Sequence, residues 1–78
     1  WTRHFYHFFI ITMTGDRSFT VFLAGADQLT LRAYSLSGQL AHTFSMQGNE
    51  LNVNASSWNK GVYLIQVNGE KAQRIVIY

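Results

Sequence analysis

The chain has 78 residues, 47% of them hydrophobic, 15% aromatic and 13% charged, with no Pro and no Cys. That length admits one domain near the lower size limit for a single core, the lack of Cys removes disulfide staples, and the apolar content excludes disorder. Six basic against four acidic side chains leave a net charge of +2, a sparse charge set that disfavours a nucleic-acid groove.

The opening stretch, Trp1 to Ile11, lacks the sustained apolar core and small-residue cleavage site of a signal peptide. Its longest apolar run, Phe8-Phe9-Ile10-Ile11, is too short to span a bilayer, so no transmembrane segment is expected. The first Met is internal, at Met13, and the chain reads as a piece of something longer. Residues 1–17 are otherwise unassigned, with a first strand expected over His4 to Met13. From Ser18 to Ala24, Phe19, Val21 and Leu23 alternate with Thr20 and Phe22, a strand period. Leu29 to Leu36 repeats it, with Leu29, Leu31 and Ala33 opposed to Thr30, Arg32 and Tyr34. Gln39 to Met46 shows it most cleanly, with Leu40, His42, Phe44 and Met46 on the apolar side. Ser37-Gly38 between these two runs predicts a hairpin, because Gly takes the positive φ of a tight turn. Gln47-Gly48-Asn49 makes the next turn, and Leu51 and Val53 mark a short strand. Val62 to Val67 is a β-branched and aromatic run expected to be buried on both sides. Asn68-Gly69 then joins it to a last strand, Lys71 to Tyr78, in the strongest hairpin signal of the chain.

About seven strands at sandwich spacing, with no sustained helical period, predict an all-β fold: an immunoglobulin-like antiparallel β-sandwich. Without Pro, its edges need charges such as Arg17, Lys71 and Arg74, or a partner, to keep them unpaired.

From Ser18 onward, four words occur in order. Leu31-Arg32-Ala33-Tyr34-Ser35-Leu36-Ser37-Gly38-Gln39-Leu40 is a strand, turn and strand. Leu51-Asn52-Val53 with Ser56-Ser57-Trp58 is a leucine segment followed by a small polar turn. Lys60-Gly61-Val62-Tyr63-Leu64-Ile65 carries Gly-Val-Tyr after a polar residue, and Lys71 to Ile77 is a basic, β-branched closing strand. Taken together, residues 18–78 resemble the C-terminal sorting domain of the type IX secretion system (type A, of Bacteroidota). The Pro-Asn-Pro word common at the start of that family is replaced here by Thr12 to Asp16, and Tyr78 stands where a basic last residue is usual.

The resemblance implies a sorting signal that directs its parent protein across the outer membrane, passing through the periplasm to the cell surface or medium. The partners it implies are the type IX translocon, a shuttle protein and a surface sortase that usually cuts upstream of the domain. The residues carrying the resemblance are Tyr34, Gly38, Gly61, Val62, Tyr63, Lys71, Arg74 and Val76. Read physically, Gly38 and Gly61 sit where a side chain would obstruct a tight turn or a strand entry, and Tyr63 offers a ring with a hydroxyl able to reach a backbone group. Most of these residues therefore specify the fold. Recognition is expected at the last hairpin, Val62 to Tyr78, whose unpaired edge would accept a partner strand while Lys71, Arg74 and Val76 select it. The opening strand is a second edge, suited to self-association.

Other chemistry is thinly supported. His4 and His7 fall on opposite faces of a strand with no Cys to complete a metal site. His42, beside Leu40 and Phe44, reads as a hydrogen-bonded core or rim histidine. Asp16, Asp27, Glu50 and Glu70 each lie near a turn, and no nucleophile elbow or phosphate loop accompanies them, so neither catalysis nor a cofactor is expected. Asn54-Ala55-Ser56 matches a glycosylation sequon by chance. The rival reading is a carbohydrate-binding or adhesive sandwich that uses Trp58, Trp1, Tyr6 and Tyr34 as exposed rings. Against it, a Trp in the turn of a small sandwich more often plugs the open end of the core.

Overall fold

The computed structural model describes residues 9–78, which form seven strands and no helix. In chain order they are β1 (Ile10–Gly15), β2 (Ser18–Phe22), β3 (Gln28–Ser35), β4 (Leu40–Gln47), β5 (Glu50–Asn54), β6 (Gly61–Val67) and β7 (Gln73–Ile77). All neighbours are antiparallel, in a three-stranded sheet ordered β1-β2-β5 and a four-stranded sheet ordered β4-β3-β6-β7. The predicted all-β sandwich is thus what the chain forms. Its β4 joins β3, whereas the immunoglobulin constant arrangement keeps the fourth strand in the other sheet. Of the expected opening strand, His4 to Phe8 lies outside the described residues, and the rest runs on to Gly15.

Side-chain alternation decides which atoms meet between the sheets. Phe19 and Val21 of β2 and Leu51 and Val53 of β5 face inward. Opposite them lie Leu29, Leu31 and Ala33 of β3, Tyr63, Ile65 and Val67 of β6, and Ile75 and Ile77 of β7. Full burial stabilises such a side chain by roughly 1.5–3 kcal/mol, so β3 and β6, each flanked on both sides, anchor the core. The run Val62 to Val67 departs from its expected double burial. Tyr63, Ile65 and Val67 are buried, but Val62, Leu64 and Gln66 are half-exposed, because no second layer covers that face among the described residues.

A larger departure occurs at β4. The β3–β4 turn is held by the Gly38 N–H donating to the Ser35 carbonyl (2.9 Å) and the Ser35 N–H donating to the Gln39 carbonyl (2.8 Å). Gly38 adopts φ +89° there, as the last residue of a three-residue loop requires. The register then slips: Tyr34 faces Leu40, but Ala33 faces His42, leaving Ala41 as an extra residue. A bulge of this kind moves side chains to the opposite face. Leu40 therefore joins Tyr34 outside instead of His42 and Phe44 inside. Met46 keeps the inward side yet remains 48% exposed, since the three-stranded sheet does not extend over this edge.

The β5–β6 connection closes that gap. It crosses from one sheet to the other and seats Trp58, 3% exposed, among four rings. The indole stacks on His42 (centroids 4.2 Å apart, planes at 7°) and on Phe44 (6.1 Å), and meets Phe19 and Tyr63 edge-on at 5.8 and 5.0 Å. The Tyr63 hydroxyl donates to the Asn59 carbonyl (2.6 Å) and Arg17 donates to the Trp58 carbonyl, pinning the same loop from both sides.

The β6–β7 turn follows its Asn-Gly signal, with φ of 52° at Asn68 and 76° at Gly69, both positive as a type I′ turn demands. Asn68 also extends the sheet. Its side chain accepts from the Thr30 N–H (2.8 Å) and donates to the Gln28 carbonyl (2.9 Å), while its own N–H reaches the Thr30 carbonyl (2.9 Å). Ladder pairing between β6 and β7 resumes only at Gln73, so Lys71, expected in the last strand, sits exposed in the connection before it.

Candidate recognition surface

The residues singled out from the sequence divide into three groups. Gly38 and Gly61 serve the backbone: Gly61 has φ +144° at the entry to β6, and nothing lies within 4 Å of where its Cβ would be. Conformation, not lack of space, is therefore what calls for glycine there, which corrects the expectation that a side chain would obstruct. Tyr63 belongs to the core, with its hydroxyl on the Asn59 carbonyl. Tyr34, Val62, Arg74 and Val76 form the third group, and the register brings them together.

All four lie on the outer face of the four-stranded sheet. Directly paired residues share a face, so the pairings Tyr34 with Leu40, Tyr34 with Leu64, and Leu64 with Arg74 make one row: Leu40, Tyr34, Leu64, Arg74. The row crosses every strand of the sheet. Val62 pairs with Val76 on one side of it, and Arg32 pairs with Gln66 and Thr43 on the other. Tyr34, Val62 and Leu64 are half-buried; Leu40, Arg32, Arg74 and Val76 are exposed. The result is an apolar strip of Leu, Tyr and Val flanked by two guanidinium groups. Lys71 is not part of it.

The expected edge is also present, since β7 ends its sheet and β1 ends the other. These two edges run beside each other around a groove of about 500 Å³ lined by Ile11, Met13, Ile75, Val76 and Tyr78, among others. Both ends of the seam are tied. Gln73 Nε2 donates to the Phe9 carbonyl, and Arg17 donates to the Tyr78 carbonyl. Arg17, expected to guard an edge by its charge, instead fastens the β5–β6 loop and the end of β7.

Trp58 lies in the core, so the main exposed ring of the carbohydrate-binding reading is lost; Trp1 and Tyr6 lie outside the described residues. His42 is the rim histidine and stacks on Trp58; among the described residues its side chain makes no hydrogen bond of the expected kind. His4 and His7 lie outside the described residues, and among those described no three metal-ligating side chains converge. Sequence reasoning missed Asn68 as a ladder residue and Arg17 as a clasp. The Asn-Gly word marked the first for its turn alone, and nothing local marks the second, whose acceptors are 41 and 61 residues away.

Comparison with curated proteins and with solved structures found no match. A family model described as a secretion system C-terminal sorting domain matches residues 10–78. The matched span begins with the first residue of β1 and runs through β7. It takes in the four sequence words and both sheets, and the chain belongs to the secretion system C-terminal sorting domain family.

Proposed function

We propose that the domain is read as a folded address: its assembled sandwich, rather than any linear peptide, directs the parent protein across the outer membrane through the type IX machinery. One observation carries this reading. The family match, residues 10–78, takes in all seven strands of the described residues. In this reading the parent passes through the periplasm, the translocon and shuttle protein bind the domain, and a surface sortase cuts upstream of it. The domain has no catalysis of its own, and the cutting belongs to that partner. The test is to fuse residues 1–78 behind a periplasmic reporter in a type IX-competent bacterium. The reporter should reach the cell surface or medium with the intact domain. It should stay in the periplasm when the core is broken by Leu31→Asp. Delivery by the Leu31→Asp fusion would refute folded recognition, and retention of the intact fusion would refute sorting altogether.

A further inference from the structure

The outer face of the four-stranded sheet has the anatomy of a protein contact. Its centre is apolar, with an aromatic side chain in the middle of the row, and its flanks are Arg and small polar residues. Interface cores favour Tyr and other large apolar groups, and Arg is enriched among residues that dominate binding. We propose that this face docks on a partner protein whose contact surface sets carboxylates around an apolar centre. The proposal rests on the sorting reading and names the surface and the chemistry through which that address would be read.

Charge selects the occupant. Arg32 and Arg74 both stand on this face, whereas Asp27, Glu50 and Glu70 lie elsewhere, in turns or on the other sheet, and Asp16, in the β1–β2 turn, lines only the edge groove that Arg74 and Val76 also line. Strand geometry puts the two guanidinium stems about 12 Å apart, diagonally across Leu64. Apolar surface between them favours a partner with a matching apolar spot, which a lone anion or a lipid headgroup lacks. A second copy fits poorly, because a self-complementary contact centred on this face would set Arg against Arg, with Asp16 off the face in the edge groove. The patch between the Arg32 row and the Val62 row measures on the order of 200 Å². That is about a quarter of what one partner contributes to a standard interface. It is the centre of a contact, and one suited to brief engagement.

Truncating β7 cannot test this, because it also removes Ile75 and Ile77 from the core. Surface substitutions in the full chain can. Arg32→Glu with Arg74→Glu should lower surface delivery of the reporter at least about tenfold, and weaken binding to purified translocon carrying its shuttle protein by a similar factor. The melting temperature should stay at the wild-type value. Arg32→Gln with Arg74→Gln, which removes charge without reversing it, should fall between. A control of equal charge change placed off the face, Lys60→Glu with Thr12→Asp and Ser56→Asp, should deliver and bind within about twofold of wild type. The proposal is overturned if the face variants behave like wild type, if the control falls equally, or if the wild-type chain does not bind the purified complex. It is overturned too if the double reversal abolishes instead a wild-type dimer or binding to phosphatidylglycerol vesicles. Failure of the wild-type fusion to leave the periplasm would instead remove the sorting reading, so the two failures are distinguishable.

Discussion

Replacing Trp58 tests how a sandwich with one sheet a strand short of the other closes its core. A buried Trp removes about 200–250 Å² from water, worth roughly 5–6 kcal/mol as an upper bound. Measured truncations of such residues cost about 3–5 kcal/mol. A 78-residue domain has about 4–12 kcal/mol of total stability, so Trp58→Ala removes from about a quarter of it to all of it. Trp58→Phe is the informative change. It keeps one ring against Phe19 and Tyr63 and gives up about a third of the buried area, for a loss of about 2 kcal/mol. At roughly 4–8 °C per kcal/mol, the melting temperature should fall by about 8–16 °C. Urea unfolding followed by far-ultraviolet circular dichroism measures the loss without a tryptophan signal. Combining Trp58→Phe with His42→Ala should show a coupling of about 0.5–1.5 kcal/mol from the stacked pair. A Trp58→Phe variant within about 0.5 kcal/mol of wild type would refute the plug, since that is the scatter of ordinary surface substitutions.

Five further substitutions probe the β4 bulge, the Asn68 turn and the Arg17 clasp. Leu40→Ser should cost less than about 0.5 kcal/mol, and Phe44→Ser about 2 kcal/mol; equal losses in denaturant melts would mean that Leu40 still faces the core. Asn68→Gly keeps the turn but loses two side-chain bonds at an exposed site, for about 1 kcal/mol, and Asn68→Ala adds the strain of a positive φ, for about 2–3 kcal/mol in all. If urea midpoints rank Ala above Gly, the backbone argument fails. Arg17→Ala should remove about 1–2 kcal/mol, the discount reflecting a half-exposed guanidinium. Amide exchange should then speed up at Ile75 and Ile77 before Leu29 and Leu31, and uniform acceleration would show that Arg17 is no local clasp.

What could be read from the residues was whatever depends on neighbours in the chain. The period of two, together with β-branched runs and turn words, located six strands within a few residues, and Asn68-Gly69 announced its turn because both residues tolerate positive φ. The faces of β2 and β3 followed from the same period, since each strand is regular throughout. The face of Leu40 did not follow. A one-residue bulge at Ala41 leaves the alternation of the letters intact while reversing its meaning. Nor did the exposure of Met46, which depends on how far the opposite sheet extends. The candidate recognition residues show the same division. Tyr34, Val62, Arg74 and Val76 were picked out as separate words, but their convergence into one surface is a product of strand order. Tyr63 and Trp58 carry comparable sequence prominence and went to the interior, because the β5–β6 crossing needs rings to seal it.

The row Leu40, Tyr34, Leu64, Arg74 is contributed by four separate strands, and no single strand of the protein contains it. A passenger whose sorting domain is unfolded, or has collapsed in the wrong register, displays those side chains scattered. It would therefore go unclaimed at the gate. In the proposed reading, proofreading of the domain comes without a dedicated inspector, because completing the sheet is what assembles the contact.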